Sequence, residues 1–150
     1  AKVRGAKIIA QCAPDKASTL KELGADQTVN RNDDLVKVLG ENSVDAVIDL
    51  VGGSSWPQLL DILRPGGKYI TSGAIAGPIV DLDLRSLYLK DLTLFGSTVN
   101  EPYVFENVIH CIEEGQIKPL VAQSFPLKEI HQAQTVFIEK KFIGKLVLIP

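Results

Sequence analysis

The sequence predicts an α/β layer domain built on a parallel sheet. Three observations carry that prediction. Short β-branched apolar runs alternate with amphipathic segments of about ten residues, the chain order of βαβ units. The runs are almost continuously apolar, as strands are when helices cover both faces of a sheet. No internal repeat, low-complexity segment or linker-like stretch interrupts the alternation.

Each element can be justified in turn. Ala6–Cys12 (AKIIAQC) reads as a buried strand. Pro14–Leu23 follows as a helix: Pro suits the first turn, where its missing N–H costs nothing, and Gly24 suits the position just past the end. Gln27–Asn30 is a short second strand. Val44–Val51 (VDAVIDLV) is strand-like and is closed by Gly52-Gly53. Ser55–Leu63 is a short helix with Ser55 as its cap candidate, and Pro65-Gly66-Gly67 is a turn before a strand over Lys68–Ser72. Leu92–Thr98 is another strand. Asn100 is placed to cap a helix running to Glu114, on which Val104, Phe105, Val108, Ile109 and Ile112 share one face and which Gly115 stops. Leu127–Lys140 is a further helix and Lys145–Ile149 a last strand.

Composition limits the function classes. The chain has 150 residues, 45% hydrophobic and 23% charged, with a formal net charge of −2. That is enough for one domain with its own core. No basic run marks a nucleic-acid surface, so no nucleic-acid partner is expected. No apolar stretch reaches the roughly 18 residues of a membrane span, and the N-terminus does not read as a signal peptide, so no membrane partner is expected either. Two cysteines, Cys12 and Cys111, are too few for a disulfide framework or a Cys-rich zinc site, and each reads as a small packing residue. The only histidines, His110 and His131, fall in predicted helices without metal-ligand spacing and read as surface or helix-packing residues. No Ser-His-Asp or Cys-His arrangement is evident. The expected location is the cytoplasm. The chain has no Met and begins in mid-pattern.

In open parallel sheets, ligands sit beyond the carboxyl ends of the strands. Three predicted ends share a character there: Leu50-Val51-Gly52-Gly53, Ser72-Gly73-Ala74 and Phe95-Gly96-Ser97 are small or Gly-bearing. Such residues let a flat ligand lie against backbone groups, although glycine marks turns wherever it occurs. The first strand ends differently, in Gln11-Cys12-Ala13-Pro14. An acid there would accept hydrogen bonds from an adenosine ribose and repel a 2′-phosphate. None is present; Lys16 and Arg31 instead are the basic residues nearest the first two strand ends. They read either as a cationic clamp for a phosphate or as solvated surface charges.

Taken together, several motifs carry a family resemblance. Gly5-Ala6-Lys7-Ile8-Ile9-Ala10, Lys21–Asp26 (KELGAD), Val44-Asp45-Ala46-Val47 through Gly53, Leu63–Lys68 (LRPGGK), Leu92–Ser97 (LTLFGS) and Gly144–Leu148 (GKLVL) occur in the order and spacing of the cofactor domain of medium-chain dehydrogenases/reductases. The chain most resembles quinone oxidoreductases and zinc-type alcohol dehydrogenases, over essentially its whole length.

The resemblance implies a Rossmann-like, doubly wound parallel sheet, with residues 1–150 forming a single partial domain that binds NADP, or alternatively NAD. The implied chemistry is hydride transfer to or from a small-molecule carbonyl or activated C=C bond. By position, Ala13 and Lys16 would lie near the adenosine 2′ side, with Arg31 near the cofactor. Val51 and Gly52 would border a ribose. Ser72, Gly73 and Ala74 would follow the nicotinamide half, and Phe95, Gly96 and Ser97 would approach its end. Lys145 would stand near the phosphates or the domain junction.

The family's Gly-rich pyrophosphate loop would lie upstream of Gly5, and its GroES-like catalytic domain has no counterpart here. The chain is therefore expected to supply no catalytic residue, to bind no zinc, and to be inert alone. In the family's 3-2-1-4-5-6 sheet order the absent first strand is central, so the first two strands should stand apart from the next three, with the break filled by a strand from another copy, a rearranged pairing or a segment of a separate chain, unless the chain is part of a longer protein. A homo-oligomer is expected. Two other readings stay open: a non-enzymatic interaction module joining through a sheet edge, and a methyl-transfer domain, which would need an acid where Cys12-Ala13 stand.

Overall fold

In the computed structural model, which describes residues 1–150, the predicted apolar runs become parallel strands. The chain divides into two compact units, Ile8–Asn100 and Ala1–Lys7 with Glu101–Pro150; the sequence alone suggests one domain. No helix is long and apolar enough to cross a membrane.

The Ile8–Asn100 unit holds two sheets. Strands β1 (Ile9–Cys12) and β2 (Gln27–Asn30) pair in parallel and end level, Cys12 opposite Asn30. A single 3-10 turn over Pro14–Lys16 leads into α1 (Ala17–Glu22), and Gly24 follows at φ 107°, the left-handed region that ends a helix. The second sheet has the parallel order β3 (Val44–Asp49), β4 (Leu63–Thr71), β5 (Thr93–Gly96). The pair and the triplet are separate sheets, the break that the family resemblance implies. The helix α3 (Trp56–Asp61) connects β3 to β4. Pro65-Gly66-Gly67 does turn the chain, but inside β4: Val44 pairs with Leu63 and Ala46 with Lys68, so Arg64–Gly67 bulge out of the ladder.

One core serves both sheets. Leu63 is fully buried, and Leu35, Val29, Leu59, Leu60 and Tyr69 are nearly so. Burying each of the large aliphatic side chains contributes roughly 1.5–3 kcal/mol. Leu35 begins α2 (Leu35–Leu39), and its N–H donates to Gln58 Oε1 of α3 at 2.8 Å, tying the β1–β2 half to the β3–β5 half. The expectation that helices bury both faces of every strand fails at β3, an outer strand of its sheet: Ile48 is 69% and the following Leu50 58% exposed.

The second unit contains α5 (Pro102–Glu113), β6 (Val121–Pro126), α6 (Ile130–Glu139) and β7 (Lys145–Ile149), with β6 and β7 parallel and Phe125 and Ala133 buried. Asn100 does not cap α5: the cap position falls on Glu101, without a side-chain bond, because Pro102 takes the first helical position. Ser55 does occupy the cap position of α3, but its side chain caps nothing, since the 3-10 turn Gly53–Ser55 already curls the chain there. On α5 the predicted apolar face is only partly covered, Phe105 being 70% exposed. Three elements escape sequence patterning: α2, α4 (Leu84–Tyr88) and β6. Cys12 is buried, and His110 and His131 are at the surface.

Candidate functional site

The site grows from a carboxylate at the end of β3. Asp49 is 6% exposed and is the one buried charged side chain. The register sets Asp49 opposite Thr71, and Tyr69, two residues earlier on β4, faces the same side of the sheet. The Asp49 carboxylate accepts hydrogen bonds from Val51 N–H at 2.7 Å, Gly52 N–H at 3.1 Å and the Tyr69 hydroxyl at 2.5 Å. Burial, then the hydrogen bond to Asp49, push the Tyr69 phenol well above the ordinary tyrosine range, so it remains a donor. The Tyr69 ring meets Trp56 edge-on at 4.7 Å and 79°. A buried acid, a phenol and an indole thus pin the loop that leaves β3.

Three loops are stitched together at these carboxyl ends. Ser72 N–H donates to Asp49 O at 3.1 Å, Ala76 N–H to Val51 O at 2.8 Å, Gly53 N–H to Gly77 O at 3.1 Å, and Ser97 N–H to Thr71 O at 2.9 Å. They frame a cleft of ≈ 300 Å³. Gly52, Ala74 and Gly77 supply backbone to its walls, Trp56 and Tyr69 supply aromatic surface, and β5 contributes Phe95 and Gly96.

Of the residues predicted from sequence, Gly52, Ala74, Phe95 and Gly96 line this cleft. Val51, Ser72, Gly73 and Ser97 lie in the stitched loops beside it. Ala13, Lys16 and Arg31 leave the other sheet at the level ends of β1 and β2, where Arg31 N–H donates to Cys12 O at 3.2 Å; Arg31 is exposed and Lys16 half-buried. Lys145 belongs to the other compact unit, where its N–H donates to Leu120 O at 2.8 Å. Asp49, Trp56, Tyr69 and Thr71 went unpredicted. The available signals were an acid inside an apolar run and the chain's single Trp just past a Gly pair.

Glycine plays two different roles at these ends. A Cβ on Gly52 would stand 2.8 Å from Gly77 O, and one on Gly73 would stand 2.9 Å from Leu50 O. Both glycines are required by the close approach of backbones, the ordinary structural reason for glycine. Gly96 is different: a Cβ there meets nothing within 4 Å, and its φ is ordinary. Neither fold nor backbone needs glycine there, and it faces the cleft. The cleft also borders an unmet donor, since Trp56 Nε1 is buried without a hydrogen-bond partner. An unpaired buried N–H costs about 1–3 kcal/mol.

No three His, Cys, Asp or Glu side chains are grouped so as to hold a metal ion. The residues present therefore do not fit a zinc centre.

A parallel sheet with a Gly-rich cleft at its carboxyl ends is the architecture of a Rossmann-like nucleotide-binding domain. Comparison with known proteins makes the class specific. The model of the zinc-binding dehydrogenase family matches residues 1–114. This chain belongs to that family, within the medium-chain dehydrogenase/reductase superfamily, and corresponds to its cofactor domain. It is 30% identical over 162 residues to a 2-haloacrylate reductase of a Burkholderia species, covering 97% of this chain and 49% of the relative. With the acryloyl-coenzyme A reductase of Sulfurisphaera tokodaii the identity is 28% over 153 residues, covering 100% and 45%. Among solved structures, a candidate alcohol dehydrogenase from Sinorhizobium meliloti 1021 superposes with a TM-score of 0.91 at 45% identity, covering 99% of this chain and 43% of that one. The chain spans half or less of the length of these relatives.

Proposed function

We propose that this chain is the cofactor domain of an NADP(H)-preferring oxidoreductase that moves hydride between the nicotinamide and a carbonyl or activated C=C bond of a small molecule. The observation that carries the reading is Gly96. In a strand, glycine weakens the fold by roughly 0.5–1 kcal/mol, yet here no neighbour requires it. A flat ring seated against β5 would use that space. The unpaired Trp56 N–H in the same cleft is a second fit to a polar, ring-bearing ligand. When bound, the nicotinamide would donate or accept the hydride. The residues here would hold it: Gly52, Ser72, Gly73 and Ala74 along one side, Phe95, Gly96 and Ser97 at the end, and Val51 beside the ribose.

The preference for NADP over NAD rests on the other sheet. No acid stands at the tip of β1 to accept from a ribose 2′-hydroxyl, while Lys16 and Arg31 follow the level ends of β1 and β2. Related proteins include quinone and alcohol oxidoreductases, which supports a carbonyl or enone substrate. Electrophilic activation of that substrate would come from outside residues 1–150, so the chain alone would be inert and Lys145 would serve the junction or the phosphates. A homo-oligomer would form through the outer edge of β5, which borders the exposed Leu89 and Phe95. Free Cys12 and Cys111 suit a reducing cytoplasm.

The test uses an oxidoreductase carrying this chain as its cofactor domain, reducing an enone with NADPH or NADH. NADPH should be the better donor. Replacing Lys16 and Arg31 together by Ala should raise the NADPH KM about tenfold and leave NADH unchanged. Better use of NADH by the unaltered enzyme would overturn the assignment.

A further inference from the structure

The buried indole N–H of Trp56 has no role in the fold described above. It is buried and has no hydrogen-bond partner in the protein. Its ring, by contrast, has a clear structural role: it is 91% buried and packs edge-on against Tyr69. A phenylalanine would keep an aromatic ring against Tyr69 and leave no orphan donor.

We propose that Trp56 is a ligand-positioning donor: its Nε1–H takes up the carboxamide oxygen of a nicotinamide ring seated in the cleft. The inference rests on the reading of the cleft given above and adds a residue to it. Two features of the cleft support it. Trp56 and Gly96 both line the cleft, and the open space around Gly96 can take a flat ring. The cleft wall on the loop side includes Gly77, whose carbonyl accepts from Gly53 N–H, next to Ala76, whose N–H donates to Val51 O, while the flanking Ile75 and Ile79 are 77% and 87% exposed. That wall has little side-chain packing to lose, so a small shift admits a ligand oxygen to the indole. The unmet donor then gains its partner only when the cleft is filled, which couples binding to settling of the wall.

The chain's single Trp makes the test direct, because Trp56 gives the one indole N–H resonance in a nitrogen–proton correlation spectrum. The 150-residue chain is titrated with nicotinamide mononucleotide, which carries the carboxamide but no adenosine half. The Trp56 resonance should move downfield and its exchange with solvent should slow, in step with shifts of the Gly52, Ala74 and Gly96 amides. Trp56→Phe should weaken nicotinamide mononucleotide binding about tenfold. It should leave the binding of adenosine 2′,5′-bisphosphate unchanged, which also reports that the variant is folded. If the cleft amides shift while the indole resonance stays still, Trp56 is not the donor and the reading of the cleft survives. If nicotinamide mononucleotide moves none of the cleft amides, the reading of the cleft fails and the role of Trp56 fails with it.

Discussion

Removing the Asp49 carboxylate should loosen the whole loop that leaves β3. In Asp49→Ala the Tyr69 hydroxyl and the Val51 and Gly52 N–H groups lose their common acceptor at once. Hydrogen bonds to a charged group contribute roughly 1.5–3 kcal/mol each, and a buried donor left bare costs about 1–3 kcal/mol. The loop is close enough to solvent for its two N–H groups to find water in part, so the sum is not fully realised. Asp49→Ala should therefore destabilise the chain by about 3–5 kcal/mol. Tyr69→Phe removes one donor and leaves the carboxylate with two, for a loss of about 1.5–3 kcal/mol. Because both changes break the same bond, the double variant should be less destabilised than the sum by at least about 1 kcal/mol. The assay is urea unfolding followed by Trp56 fluorescence, which senses the Tyr69 contact at 4.7 Å. The reasoning is refuted if Asp49→Ala changes stability by less than about 0.5 kcal/mol, or if the two changes simply add. Alkaline pH gives an independent check. The folded phenol is held above its ordinary range, so the stability it contributes is present below about pH 10 and is lost as pH rises, when the unfolded chain gives up the proton and the native one does not. The loss should approach about 1.4 kcal/mol per pH unit from this group, and Tyr69→Phe should abolish that component.

Other predictions follow from neighbouring geometry. The Lys90 ammonium donates to the carbonyls of Leu60, Asp61 and Leu63 at 3.0, 2.8 and 2.9 Å, closing the C-terminal end of α3. Lys90→Met keeps the aliphatic stem and should cost about 1–2 kcal/mol in chemical denaturation. Gly52→Ala should cost about 2–4 kcal/mol, since its φ of 65° and a Cβ 2.8 Å from Gly77 O both resist a side chain. Gly96→Ala should leave stability within about 0.5 kcal/mol of the parent or raise it, while weakening nicotinamide mononucleotide binding; thermal melts paired with calorimetric titration separate the two.

Much of the β1–β5 framework is legible in the sequence because most of its strands are apolar runs bounded by Gly, Pro or polar turn residues. The elements that escape are those whose stability is not written in periodicity. The five residues of α2 are too few for a hydrophobic stripe and are set by Asp34, whose side chain accepts from Lys37 N–H at 3.1 Å, and by Gly40. Strand β6 reads as a loop because Gln123 and Ser124 break the apolar run and Phe125 is its one buried residue. The Asp49–Tyr69 pair is illegible for a different reason. Its partners lie 20 residues apart, and they meet only because Arg64–Gly67 bulge out of the ladder. Without that bulge the register would shift, and period-two alternation would turn one side chain to the opposite face. The glycines at the strand ends were visible in the sequence, but their division into two classes was not. Sequence cannot tell a glycine forced by a backbone approach from one that leaves space, because that depends on what faces it.

That division also sharpens what the cleft asks of its ligand. Gly52 and Gly73 are fixed by the carbonyls of Gly77 and Leu50, so the loops beyond β3 and β4 are closed against each other and offer only backbone and the edge of a buried aromatic pair. Free space lies on the β5 side, at Gly96, while the unmet donor lies in Trp56. A ligand that satisfies both must be flat and must carry an acceptor oxygen at its rim. A purely apolar ring would fill the space at Gly96 and leave the indole bare, and a phosphate would place charge beside an aromatic wall without a cation. The cationic residues stand instead at the ends of β1 and β2. On the proposed reading, the β3–β5 sheet would hold the ring and the β1–β2 pair the phosphate, both within the unit Ile8–Asn100. A small ligand carrying only one of these groups should perturb only one of the two sheets.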